Sequence, residues 1–183
     1  DLWDSGRVAS DETLHLEYAG RPLGSRQACH WRVRVWDQDG RTSGWSERAT
    51  WEMGMLRPED WVARWIGRTE ETNALPAPMF RKTFDVGRGV TRARVYLCGL
   101  GYQDLSINGR RVGNALLDPG FTRYDRRVLY VTHDVTALLR PGANAVGVVL
   151  GSGWFNCHTK AVWNFHQAPW RMSPRMLLQL HIE

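Results

Sequence analysis

The dipeptide Asn108-Gly109 constrains this chain more than any other feature, because it fixes a fold-back between two stretches of extended character. Before it, Tyr102, Asp104 and Ser106 fall on one face of a strand and Gln103, Leu105 and Ile107 on the other. Asn-Gly accepts the positive φ angles of a type I′ turn, so Arg110, Arg111 and Val112 return as the partner strand. Asp118-Pro119-Gly120 closes another turn, residues 127–132 read as a strand, and Asp134 is placed to cap a short helical turn over 135–139. Pro141-Gly142 ends that turn. Residues 145–150 follow as an apolar run of strand length, expected to be buried on both faces, and Gly151-Ser152-Gly153 delivers Trp154 to a sheet end.

The same grammar runs through the rest of the chain. Residues 1–57 read as a first unit: strands at 14–18, 29–37 and 49–53, a turn at Asp39-Gly40, and Trp45-Ser46 before the last strand. Arg32 and Arg34 point away from a face formed by Trp31, Val33 and Val35. Residues 58–183 read as a second unit, with a loop over 68–78 and strands at 79–86, 91–98, 103–107, 111–112, 127–132, 145–150 and 175–182. No internal repeat or long helical periodicity occurs, so the fold class is all-β.

Composition excludes several functions. Hydrophobic residues at 43% and aromatic residues at 11% rule out disorder, and no apolar run reaches the 18 residues of a membrane span. The start lacks the basic-then-apolar pattern of a signal peptide. Cys29, Cys98 and Cys157 are odd in number and have no metal-ligand spacing, so packed, reduced thiols are expected. The net charge of +5 raises nucleic acid as a partner, but the basic residues are scattered along alternating strands with carboxylates between them, and no nucleic-acid partner is expected.

The order strand, glycine turn, Trp-Ser segment and last strand, carried by HWRVRVWDQDGRTSGWSERATWEMG, resembles the second half of a fibronectin type III-like sandwich. Its opening strands are missing, so the chain reads as beginning inside a domain, with a sheet face open to self-association. The second unit's strand count suits a jelly-roll, galactose-binding-like β-sandwich, and its last strand stops without a turn, as if cropped. A longer series of pieces supports a closer likeness: LWDSGRV, YAGRPL, WRVRVWD, WVARWIG, FRKTFDV, INGRRVG, LDPGFTRYDRRVLYVTHDVTALL and GSGWF. In that order they resemble the N-terminal, non-catalytic part of bacterial α-L-rhamnosidases.

That resemblance implies a parent hydrolase that removes terminal α-L-rhamnose with inversion, using acidic residues in an (α/α)₆ barrel placed after these β domains in the same polypeptide. It also implies a bacterial protein, for which the cytoplasm is favoured, with secretion left open by the cropped start. Asp104, Asp118, Asp125 and Asp134 are available carboxylates, but none matches the family's catalytic acid or base, and most sit where a carboxylate caps a turn. No catalytic residue is therefore assigned.

Candidate carbohydrate-binding residues are chosen for chemistry. A flat indole suits the C–H face of a deoxy sugar, and Asn, Asp or His beside it can pair with hydroxyls. Trp154 and Trp163, with Trp170 behind them, lie in the irregular stretch after GSG together with Asn156, His158, Asn164 and His166, while Asp104, Asn108 and Asn114 come from the hairpin region. The site set is Asp104, Asn108, Asn114, Trp154, Asn156, His158 and Trp163, although the turn alone accounts for Asn108. Trp31, Trp36, Trp51 and Trp65 have strand spacing and are expected in the core. No metal ligands are assigned; the resemblance allows calcium as a cofactor, but the six to eight oxygen ligands of that ion cannot be assembled from the sequence. The partner implied is a rhamnose-containing glycan or glycoside. Two other readings are a purely architectural domain pair and a sugar-binding accessory domain of another glycosidase class.

Overall fold

A computed structural model describes residues 1–68, 76–161 and 163–183. Most of the expected 68–78 loop lies outside the described residues. The chain separates into two compact units, Asp1–Trp61 and Val62–Glu183.

In the first unit, β1 (Ala28–Trp31) pairs antiparallel with β2 (Ala49–Glu52). The strand expected over 29–37 stops at Trp31, for a specific reason. Beyond it the segment runs beside residues 41–47, but the Val33 and Val35 N–H groups donate to the hydroxyls of Ser46 (3.0 Å) and Ser43 (2.9 Å). The reverse bonds are backbone to backbone, from Ser43 N–H to the Val35 carbonyl (2.8 Å) and from Ser46 N–H to the Val33 carbonyl (2.7 Å), and near the turn the Asp37 N–H donates to the Arg41 carbonyl (2.9 Å). Two serine side chains thus stand in for ladder carbonyls. The expected turn forms, with the Asp37 carboxylate accepting from the Asp39 and Arg41 N–H groups and Gly40 at φ +78°.

This Ser-stitched pairing builds an alternating stack. The Arg32 and Arg34 guanidiniums lie 4.5 and 4.6 Å from the Trp45 ring, and Arg34 and Arg7 lie 5.0 and 5.3 Å from the Trp36 ring. Trp36 is therefore half-buried under arginines, which corrects its expected place in a core, and Trp51 is likewise only half-buried, edge-on to Tyr18. Trp31 is 50% exposed and Trp65, in the second unit, 44%, so neither is a core residue. In the first unit the cause is thickness: two short strands have no second layer within the unit to bury them. The strand expected at 14–18 is also absent. Leu14 and Leu16 are exposed, and His15 sits at φ +59°, which breaks an extended run.

The second unit is a β-sandwich. One sheet has the order β3 (Ile66–Gly67), β10 (Arg175–Ile182), β5 (Ala93–Leu100) and β8 (Val131–Asp134). The other has the order β4 (Met79–Val86), β9 (Gly142–Gly151), β6 (Tyr102–Ile107) and β7 (Arg110–Arg111). Every pairing is antiparallel. Ala93, Val95 and Leu97 of β5 meet Leu105 and Ile107 of β6, Val148 and Leu150 of β9 and Met176 of β10 in one core. Burying a side chain of this kind contributes about 1.5–3 kcal/mol. Strand β9 buries Val148 and Leu150 but leaves Val146 and Val149 half-exposed, so burial on both faces is incomplete. It is β5 that is covered twice, since Tyr96 is fully buried on the opposite face between the rings of Tyr130 (6.1 Å) and His181 (5.8 Å).

The hairpin turn takes φ +52° at Asn108 and +78° at Gly109, the two positive values of a type I′ turn. Asp134 accepts from the Thr136 N–H (3.0 Å) at the start of a single 3₁₀ turn, Thr136–Leu138. The strand expected over 127–132 begins late, at Val131, because the Arg126 and Arg127 N–H groups turn back to the Arg123 carbonyl at 2.8 and 2.9 Å. All three cysteines are free and buried, and burial pushes the Cys98 thiol up to about 12.

Candidate functional site

The two ends of the sandwich differ in chemistry. Strand β6 runs from one to the other over six residues, about 20 Å at the usual strand rise.

At the hairpin end, amides close on one another. The Asn108 Nδ2 donates to the Leu138 carbonyl (2.9 Å) and to the Asn144 Oδ1 (2.8 Å), while its Oδ1 accepts from the Ala145 N–H (2.9 Å). Buried Asn144 in turn donates to the carbonyls of Arg140 (2.7 Å) and Gly142 (2.8 Å). Both amides are spent inside the protein.

At the other end, glycines let loops approach. Gly101 has φ +107°, and a Cβ there would lie 1.9 Å from the Gly151 carbonyl oxygen. Gly153, at φ +50°, has its own Cβ position 3.1 Å from the Gly101 carbonyl carbon. This glycine contact seats the segment that begins at Trp154 beside the β5–β6 turn, as the Gly-Ser-Gly motif implied.

The segment brings an aromatic cluster together. Trp154 lies 5.6 Å from Phe165 and 6.4 Å from Trp163, and Trp163 lies 5.7 Å from Phe165. Phe165 stacks on Phe121 at 5.4 Å and meets Trp170 edge-on at 6.0 Å. Tyr124 joins Phe121, Phe155 and Trp170 to this group at 5.4–6.0 Å. The inner members pack over Cys98 and Leu100 of β5 as a second small core. The outer members reach solvent: the Trp163 ring is 79% exposed and Phe121 is 48% exposed. Phe121, Tyr124 and Phe165 were not singled out from the sequence. The one signal for them was the aromatic density of two segments whose meeting depends on tertiary packing.

Polar groups in the cluster are left incomplete. The Tyr124 Oη, Trp170 Nε1 and His166 Nδ1 are buried without a hydrogen-bond partner among the described residues. Burial, with smaller contributions from Tyr102 and Cys98, pushes the Tyr124 hydroxyl up to about 12, so it stays a protonated donor. Nearby, the Nδ1 of exposed His158 lies 2.8 Å from the Arg171 guanidinium. Desolvation and then the Arg171 charge lower the His158 pKa, which favours a neutral imidazole accepting that bond.

The predicted site residues divide accordingly. Trp154 and Trp163 join this cluster, and His158 and Asn156 lie on the same segment; Asn156 is buried, its N–H bonded to the Ser152 carbonyl (3.0 Å). Asn108 is at the opposite end. Asp104 is held by Arg111, whose Nε lies 3.1 Å and 3.2 Å from its two oxygens, at the rim of a small recess shared with Asp118 and His133. Asn114 is exposed in the loop after β7. Of the other carboxylates, Asp125 pairs with Arg123 (2.9 Å) and Asp134 with Arg94 (2.8 Å). Among the described residues, no three His, Cys, Asp or Glu side chains converge as a metal-binding group.

Comparison with known proteins bears on both units. A family model described as the alpha-L-rhamnosidase N-terminal domain matches residues 88–183, and one described as a Rha78A-like, N-terminal immunoglobulin domain matches residues 1–57. An alpha-L-rhamnosidase of Formosa agariphila is 35% identical over the whole chain, and one of Alteromonas sp. (strain LOR) is 34% identical. The chain spans about 20% of the length of each. The structure of an alpha-L-rhamnosidase from Dictyoglumus thermophilum superimposes on the entire chain with a TM-score of 0.87 at 37% identity, using 21% of that protein. One from Aspergillus terreus superimposes on 89% of the chain, and on 19% of its own, with a TM-score of 0.79 at 32% identity. The sequence reads as all-β, a fibronectin type III-like unit followed by a β-sandwich; the first unit matches an immunoglobulin-domain model, the second is a β-sandwich, and by these matches the chain belongs to the alpha-L-rhamnosidase N-terminal domain family.

Proposed function

We propose that this chain is a non-catalytic N-terminal region of an α-L-rhamnosidase, and that its second unit, a jelly-roll module, contacts the rhamnosylated glycan through the aromatic end. The observation that carries the reading is the open Trp163 ring beside Trp154 and Phe165, with Phe121 stacked in turn on Phe165. An indole fixed in this way offers a flat surface to the apolar face of a 6-deoxy sugar, and the neighbouring Asn164, His158 and Arg171 can meet its hydroxyls. Hydrolysis falls to a barrel elsewhere in the parent polypeptide. In support, an inverting mechanism needs two carboxyl groups about 6.5–9.5 Å apart, one of them kept protonated. Here Asp104, Asp125 and Asp134 are each bound to an arginine, and the Thr136 hydrogen bond, with Arg94 adding to it, holds the Asp134 carboxyl below its usual range.

The test is a titration of the chain with L-rhamnose, with and without calcium, followed by tryptophan fluorescence and calorimetry. A saturable response in the millimolar range that disappears in Trp163→Ala supports the reading. A flat titration in both conditions favours a purely architectural role, and turnover of an aryl rhamnoside by the chain would refute the non-catalytic assignment.

A further inference from the structure

The Arg–Trp stack of the first unit has no role in the reading above. Arg7, Arg32 and Arg34 are exposed, and none has a hydrogen bond or ion pair with any described residue. Among the described residues they lie on the faces of Trp36 and Trp45. This is unusual for the unit that holds them. Its 61 residues carry eleven Asp and Glu against eight Arg, so carboxylates outnumber guanidiniums, yet these three remain unpaired. A guanidinium lying over an indole keeps its N–H donors at the edge of the plane, where two parallel bonds to a planar oxyanion form without loss of the stacking contact. Arg32 and Arg34 are two positions apart on an extended segment, about 6.6 Å along the chain, and the serine-stitched pairing holds the Trp45 indole against both, with Trp36 shared by Arg34 and Arg7. The stack presents a row of pre-oriented anion receptors.

We infer that this row binds carboxylate or sulfate groups carried on a glycan chain. Nucleic acid fits it less well, since bases need open aromatic faces and those of Trp36 and Trp45 are already covered by guanidiniums. A dense phosphate backbone, or an anionic membrane surface, would also meet the unit's excess of carboxylates. Sparse anions on an otherwise neutral polymer avoid that repulsion. The anion site stands on geometry alone; that a glycan carries the anion rests on the function proposed above.

The experiment uses the whole chain and three probes: highly methyl-esterified pectin for sparse carboxylate, dextran of low sulfation for sparse sulfate, and neutral dextran as control, with single-stranded DNA as a competitor. Binding of one or both acidic polymers, weakened at least tenfold in the double variant R32Q/R34Q and within twofold of wild type in R110Q, supports the proposal; which polymer binds identifies the anion. In the unmodified chain, the indole N–H resonances of Trp36 and Trp45 should shift on titration while that of Trp163 does not. This second readout needs no variant to fold. Equal losses in R110Q and R32Q/R34Q would reduce the effect to net charge, equal binding of DNA would replace the glycan with any polyanion, and no binding would remove the site. A flat rhamnose titration with polymer binding intact would sink only the proposed function.

Discussion

The two ends of the sandwich solve the same problem, closing a β-structure against water, by opposite means. The hairpin end satisfies every hydrogen bond of the Asn108 and Asn144 amides internally and offers a ligand little. The aromatic end closes with rings over a glycine contact and leaves the Tyr124, Trp170 and His166 polar atoms without partners among the described residues. A buried polar atom left unpaired costs about 1–3 kcal/mol, so this end retains a cost that the other end has removed. The comparison teaches that binding capacity in this fold is to be sought where the internal network stops short, even though both ends are rich in residue types that bind sugars.

The comparison is broken most severely at Gly101. Alanine there would press a methyl group into the Gly151 carbonyl at a φ that L residues avoid, and should cost on the order of 4 kcal/mol. Urea unfolding followed by tryptophan fluorescence should show a matching loss, together with release of the segment after Trp154. A loss under about 1 kcal/mol would mean that the glycine contact does not seat the aromatic loop.

Asn108 separates turn from network. Asn108→Gly keeps the positive φ but abandons three side-chain hydrogen bonds, so it should cost about 2 kcal/mol, and Asn108→Ala about 1 kcal/mol more because the turn is strained as well. Chemical denaturation of both variants checks the order. If Asn108→Gly is neutral, the amide network is ornamental and the turn alone explains the residue. Trp163→Ala is the counterpart at the other end. With its ring open to solvent it should cost about 1 kcal/mol or less in stability while abolishing the fluorescence response to rhamnose. A large stability loss would reassign Trp163 to the core.

These contrasts also show what the sequence could reveal. Asn108-Gly109, Asp134 and Gly151-Ser152-Gly153 act over a few residues, so each could be read where it stands. The sandwich strands were legible for a related reason, since alternation reports burial and the second unit has two layers to bury. Trp31 and Trp65 misled because strand spacing says which face a ring is on and nothing about whether that face is covered. The Arg–Trp stack stayed hidden because Ser43 and Ser46 replace ladder carbonyls, a substitution that no periodicity records. In the candidate site, Trp154 and Trp163 were found through the glycine motif, but their alliance with Phe121 and Tyr124 joins segments thirty or more residues apart and follows only from packing.

The finest test of the contrast is its response to acid, where two histidines report on different parts of the unit. Burial lowers the His133 pKa against an opposing pull from Asp118, and desolvation with Arg171 lowers that of His158 at the aromatic end. A base with a depressed folded pKa is protonated first in the unfolded chain. Both histidines should therefore leave stability unaffected well above pH 6.5, their ordinary value, and reduce it as pH falls through that value. Asp134 acts in a separate window: its carboxyl is held below 3.8, so its contribution is present above that value and lost beneath it. Unfolding midpoints measured between pH 8 and pH 3 should thus fall in two steps. His133→Gln should flatten the upper step more than His158→Gln, because His133 is half-buried and His158 is open to screening solvent. An upper step that persists in the double variant would show that neither imidazole is held neutral by its surroundings, and the His158–Arg171 contact would then be a surface pairing with no bearing on the aromatic end.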